Sequence, residues 1–157
     1  MVEQHRSYEF RPKGAPVAVL SIPLPLPLIL CIDDSEIGLR VRKLLLASVG
    51  YEVLTATTAE EGFELFKKNP IVLVIADHFL GAKSGTEIAR EMKRLKPEVR
   101  ILIVSGDVDE PAGLEFADGF LSKGQPTELL LQTVAQLVAT GQNSSDASAH
   151  DTLCSRS

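Results

Sequence analysis

Apolar residues fall along this chain in short runs separated by amphipathic stretches. Leu28-Ile29-Leu30-Cys31-Ile32 is continuous and ends on Asp33-Asp34. Ile71-Val72-Leu73-Val74-Ile75-Ala76 is rich in β-branched residues and ends on Asp77. Such runs suit strands covered on both faces, hence a parallel sheet. Shorter runs at Tyr51–Thr55, Arg100–Val104 and Phe120–Leu121 predict three more strands. Between them the spacing becomes helical. Ile37, Val41, Leu44, Leu45 and Val49 predict the buried face of a first helix, running from Ser35 to a stop at Gly50. Phe63 and Phe66 mark the packed side of a second, ended by Pro70, and Ile88, Met92 and Leu95 that of a third, ended by Pro97. Leu129, Leu130, Val134, Leu137 and Val138 line a last helix from Pro126 to Ala139, with Gly141 as its stop. Thr57 with Glu60, Thr58 with Glu61, and Ser84 with Glu87 match capping boxes. Asp109-Glu110-Pro111 predicts a fourth-position helix, cut short by Asp118-Gly119.

Strand and helix therefore alternate through the chain. That predicts an α/β fold, a three-layer αβα sandwich of (βα)5 type around a doubly wound, five-stranded parallel sheet. The folded unit is expected over 28–140. Residues 1–27 form a proline-containing extension, in which Pro23-Leu24-Pro25-Leu26-Pro27 favours an extended approach to the first strand. Val17-Ala18-Val19-Leu20 reads as a loosely attached leader, or else as an extra edge strand or partner-binding stretch. Residues 141–157 are rich in Ser, Asp and Asn, lack periodicity, and are expected to be a disordered tail.

Composition narrows the function classes. The 157 residues are 45% hydrophobic, enough for a real core, and carry a formal charge of −5 with no Lys/Arg-rich run. No direct nucleic-acid binding is expected. Pro16, Pro23, Pro25 and Pro27 argue against a spanning helix in the apolar stretch before Asp33, and no membrane role is expected. The two cysteines, Cys31 in a strand and Cys154 in the tail, suggest no disulfide framework, which fits a cytoplasmic protein.

The chemistry gathers at strand ends. In an open α/β sheet, ligands bind outside the carboxyl ends of the strands. Asp33, Asp34, Asp77, Ser105 and Lys123 all lie at such ends. Three close carboxylates need compensation, and a hard divalent cation with carboxylate and water ligands supplies it, Mg²⁺ being the natural choice. Lys123 adds a mobile positive charge and Ser105 a hydroxyl donor. This set suits phosphoryl transfer, with one carboxylate attacking phosphorus while the cations neutralise its oxygens. Glu36 reads as a solvated neighbour and His78 as a loop residue shaping access.

The ordered set Ile32-Asp33-Asp34, Val74-Ile75-Ala76-Asp77, Ser105-Gly106 and Phe120-Leu121-Ser122-Lys123 closely resembles the receiver domain of bacterial two-component response regulators, over roughly residues 28–139. The resemblance implies the flavodoxin-like strand order 2-1-3-4-5. It implies Asp77 as phosphoacceptor, with Asp33, Asp34, Asp77 and the backbone carbonyl of Phe79 holding Mg²⁺. Lys123 would hold a phosphoryl oxygen and Gly106 would leave room for the group. Ser105 would swing to bond it and Phe120 would rotate inward behind it. Implied partners are a histidine kinase or phosphotransfer protein and a separate effector, with a homodimer left open. The protein would be a signalling phosphoacceptor in a phosphorelay rather than an enzyme, and a stand-alone receiver with no output module.

Departures from the pattern are specific. Gly81 stands where receivers usually have proline, as does Gly124 after the lysine. The stretch from Ser105 to Lys123 is short, and Phe120 replaces tyrosine. Two other readings stand beside the first. One is a receiver-like binding scaffold with little dependence on phosphorylation. The other is an aspartate-nucleophile phosphatase, which would normally carry an acid where Phe79 stands.

Overall fold

The computed structural model describes residues 5–8, 20–23, 25–107 and 109–151. Strands β1 (His5–Tyr8) and β2 (Leu20–Pro23) form a separate antiparallel pair. Val17, Ala18 and Val19 lie outside the described residues, while Leu20 begins β2. The main chain then runs β3 (Leu28–Ile32), α1 (Glu36–Ser48), β4 (Glu52–Ala56), α2 (Ala59–Lys68) and β5 (Leu73–Asp77). A short ladder, β6 (Phe79–Leu80) with β7 (Lys83–Ser84), precedes α3 (Gly85–Leu95). Strand β8 (Arg100–Ser105), a 3₁₀ turn (Leu114–Phe116), β9 (Gly119–Ser122) and α4 (Thr127–Asp151) complete it.

The sheet order is β4-β3-β5-β8-β9, all pairs parallel, as the alternation and the resemblance imply. The side-chain period of two divides the core. Leu30, Ile32, Val74, Ala76, Ile101 and Ile103 face α2 and α3, meeting Phe66, Ile88 and Met92. Ile29, Cys31, Leu73, Ile75, Leu102 and Val104 face α1 and α4, meeting Leu39, Leu46, Val134 and Val138. Each such aliphatic side chain contributes about 1.5–3 kcal/mol by leaving water. Helix α2 lies so close to the sheet that a Cβ on Gly62 would sit 2.5 Å from Ile32 Cδ1. Caps form at Ser35, Thr58 and Ser84, the last as a full capping box with Glu87.

Four expectations are corrected. First, α1 does not bury the predicted face. Ile37, Val41, Leu44 and Val49 are 78%, 60%, 67% and 47% exposed, and Leu39 and Leu46 are the buried pair. The helix carries two apolar stripes, and Arg42 interrupts the inward one, so spacing favoured the other. Second, Leu95 at the end of α3 is exposed, and Ala89 takes the inward place beside Ile88 and Met92. Third, among the described residues no α-helix forms between β8 and β9. Gly113 takes a left-handed φ of 89° and only a 3₁₀ turn follows, with Leu114 and Ala117 against the core. Fourth, α4 passes Gly141 and continues to Asp151. A glycine stops a helix by turning left-handed, as Gly50 does after α1 and Gly141 does not. The predicted disordered tail is thus helical to Asp151, and residues 152–157, with Cys154, lie outside the described residues.

Among the described residues no helix is long and apolar enough to cross a membrane.

Candidate functional site

Three strands deliver the charged groups to one edge. β3 delivers Asp33, whose backbone amide still bonds the Ala56 carbonyl at 3.1 Å and so extends the β3–β4 pairing. β5 ends on Asp77. β9 leads to Lys123, whose amide donates to the Ser105 carbonyl at 2.7 Å. The structure gathers Asp33, Asp34 and Asp77 so that one carboxylate oxygen from each lies within 4.8 Å of the others. Asp33 and Asp77 are buried and Asp34 is exposed. Three carboxylates of this kind, one facing solvent, are a donor set suited to a hard divalent cation.

Lys123 joins the two buried acids. Its Nζ donates to Asp77 Oδ2 at 2.8 Å and to Asp33 Oδ2 at 3.3 Å. Burial disfavours the charge on Lys123, but the bond to Asp77 and the field of both acids outweigh it and raise its pKa. Burial likewise opposes the charge on Asp33. The Ser35 amide at 2.9 Å, Lys123 and Arg42 overcome that and hold the carboxyl below its usual range. Asp77 Oδ1 accepts from the Phe79 amide at 3.4 Å.

The remaining predicted residues surround this centre. Ser105 is buried at the end of β8, and its Oγ accepts from the Asp107 amide at 3.2 Å. Val104, its neighbour, is the register partner of Asp77. A Cβ on Gly106 would meet nothing within 4 Å, so the mouth is open there. Phe120 is half-buried and packs against the α2/α3 core cluster. The Phe79 side chain is exposed, stacked edge-on against His78 with centroids 4.8 Å apart.

Two glycines shape the loop after Asp77. Gly85 approaches so closely that a Cβ would lie 2.5 Å from the Asp77 carbonyl oxygen, and its amide donates to the His78 carbonyl at 2.8 Å. Gly81 turns the β6–β7 ladder at a φ of 70°. Proline, fixed near −65°, cannot adopt that conformation, which accounts for its absence here.

Sequence reasoning missed Arg42. It lies on the inward stripe of α1, with Nη2 3.5 Å from Asp33 Oδ2 and a side chain only 11% exposed. The available signal was its helical spacing from Leu39 and Leu46, which choosing the other stripe concealed. Beside it, a cleft of about 420 Å³ opens between α1 and the start of α4, lined by Asp33, Arg42, Leu45, Lys123, Pro126 and Leu130, among others.

The profile of the response regulator receiver domain matches residues 29–135. The aerobic respiration control protein ArcA of Escherichia coli K12 is 32% identical over 111 residues, covering 68% of this chain and 46% of ArcA. The chain thus spans less than half the length of that curated relative. Among solved structures, the CheY-like receiver domain protein of Methanospirillum hungatei superposes with a TM-score of 0.71 at 27% identity, covering 76% of this chain and 98% of that one. The response regulator TrrA of Thermotoga maritima, solved in complex with Mg(2+)-BeF, gives 0.68 at 27% identity, covering 71% and 99%. With the parallel sheet, the acids at its carboxyl edge and the bridging lysine, these matches establish that the chain belongs to the receiver domain family of response regulators.

Proposed function

We propose that this receiver accepts a phosphoryl group on Asp77 from the phosphohistidine of a kinase or phosphotransfer protein, in a Mg²⁺-dependent reaction that switches binding of a separate effector. The observation that carries this reading is the Lys123 bridge across Asp77 and Asp33, at the mouth where the three carboxylates converge. Asp33, Asp34, Asp77 and the Phe79 carbonyl would hold the metal. When bound, it supplies positive charge to the phosphoryl oxygens.

The chain's own groups perform the rest. An Asp77 carboxylate oxygen forms the new P–O bond as the donor's P–N bond breaks, and the donor imidazole keeps the electron pair and takes up a proton. Lys123 leaves its ion pair with Asp77 to neutralise a phosphoryl oxygen. Ser105 exchanges the Asp107 amide for the phosphoryl group, and Phe120 turns further inward behind it. Contacts made only in the phosphorylated state move the population of the switch. A donor protein must rest on surface bordering this mouth. The exposed apolar stripe Ile37, Val41 and Leu44 of α1 offers such a surface.

The phosphatase reading has no support at its deciding position, because Phe79 brings an exposed apolar ring where an acid is required. The test is incubation of the full chain with Mg²⁺ and a small phosphodonor or a phosphorylated kinase, followed by intact-mass analysis. Acid- and base-labile, hydroxylamine-sensitive incorporation that Asp77→Asn abolishes is expected. Absence of incorporation with every donor would favour the scaffold reading.

A further inference from the structure

We propose that Arg42 is a built-in counter-cation of the acidic cluster, holding Asp33 from inside the fold and setting how tightly the cluster binds a divalent cation. The inference rests on the reading that the cluster holds Mg²⁺.

The geometry is local to this sequence. A long side chain on a helix runs back over the turn that precedes its own Cα. For Arg42 that turn contains Gly38, four residues earlier and on the same face. A Cβ there would lie 3.5 Å from Asp33 Oδ2, the very oxygen that Arg42 Nη2 reaches at 3.5 Å. Lys123 reaches the same oxygen at 3.3 Å. Asp33 Oδ1 is engaged by the Ser35 amide. Both oxygens of this carboxylate therefore have partners before any metal arrives.

The two cations differ in freedom. Lys123 is 37% exposed on a flexible stem and can swing to another anion. Arg42 is nearly buried, anchored by α1, and its Nη1 is buried without a hydrogen-bond partner among the described residues. Among the described residues, Asp33 is the acid it pairs with. Its neighbour Cys31 stays a neutral thiol, since burial pushes its pKa up to about 12, offset only in part by Arg42 itself. Asp33 is thus the anion that compensates Arg42, and removing it would leave a buried charge unpaired. The acidic cluster is met by two cations rather than one, and Arg42 is the less exposed of the two. An incoming divalent cation must bind Asp33 against that fixed positive charge.

The test is isothermal titration of the metal-free full chain with MgCl₂, comparing wild type with Arg42→Met, Arg42→Gln and Arg42→Lys. Arg42→Met should bind Mg²⁺ about tenfold more tightly, the order expected from removing one unit charge a few ångströms from a ligand oxygen at a part-solvated site. Arg42→Gln should behave alike and serves if the methionine variant does not fold. Arg42→Lys should stay within about twofold of wild type, because it keeps the charge. Thermal unfolding gives a second readout. Without metal the neutral variants should melt below wild type, and Mg²⁺ should raise their midpoints more. Equal Mg²⁺ affinity of wild type and a folded neutral variant would overturn the role of Arg42 alone. Absence of Mg²⁺ binding by every protein, wild type included, would overturn both this inference and the metal reading beneath it.

Discussion

Lys123 Nζ lies 2.8 Å from Asp77 Oδ2, so the last strand of the sheet is tied to the central one through their functional ends. The same ammonium reaches Asp33 at 3.3 Å. It compensates the acids at rest and, on the function proposed above, would follow negative charge onto an arriving phosphoryl group. Lys123→Ala should slow phosphoryl incorporation by about a hundredfold, the usual loss on deleting one donor to a developing charge. Initial rates with a small phosphodonor at saturating Mg²⁺ would measure this. A rate near wild type would remove Lys123 from the reaction.

Gly85 sets the position of Asp77 through the backbone. A side chain at 85 meets the Asp77 carbonyl oxygen at 2.5 Å and the His78 Cα at 3.0 Å, and neither can yield as a flexible side chain could. Gly85→Ala should cost about 1–3 kcal/mol in urea unfolding, as overpacking does. Gly106→Ala, with open space around it, should stay within about 0.5 kcal/mol of wild type.

The two stripes of α1 should separate cleanly by mutation. Leu39 is buried in the α1/α4 cluster, whereas Ile37 is 78% exposed. Leu39→Ala should lose about 2–5 kcal/mol of stability. Ile37→Ala should change stability by no more than about 0.5 kcal/mol. If α1 borders the donor surface, Ile37→Glu should weaken phosphotransfer from a kinase while sparing a small phosphodonor. Parallel assays with the two donors would check it.

Asp118 gives the fold a defined acid sensitivity. Lys93 at 2.7 Å, Arg100 at 3.0 Å and the Ile101 amide at 2.8 Å surround its carboxylate. Burial disfavours its charge, but these partners prevail and lower its pKa. A carboxyl lowered on folding adds stability that is present above its unfolded pKa of about 3.9 and is lost as pH falls toward the folded value. Asp118→Asn should therefore flatten the fall in stability below about pH 4. At neutral pH it should cost about 1–2 kcal/mol. Urea unfolding from pH 7 to pH 3 would test both parts.

Much of the architecture was legible because strand burial is a local property of sequence. The runs around Ile29–Ile32 and Leu73–Ala76 are buried on both faces, and a continuous apolar run reports that directly. Strand ends were legible for the same reason, since a charged or polar residue terminates each run. Asp33, Asp77, Ser105 and Lys123 could thus be placed at one edge before any coordinates. The fourth crossover was not legible. Asp109-Glu110-Pro111 resembles a helix start, but the left-handed turn at Gly113 and the docking of Leu114 and Ala117 on the core prevent a second turn.

The sequence by itself determined the order of the five sheet strands and the acids at their carboxyl edge, because both follow from hydrophobic period and from the cost of burying a charge within a strand. Tertiary structure decided which stripe of α1 faces inward, because the stripe interrupted by Arg42 is selected only by what the sheet presents to it. That choice turned Ile37, Val41 and Leu44 toward solvent and brought Arg42 to Asp33. A buried arginine is stable only opposite an anion, and that anion lies on another element. Helical spacing from Leu39 and Leu46 marks the stripe that carries Arg42, but not the acid that stripe meets.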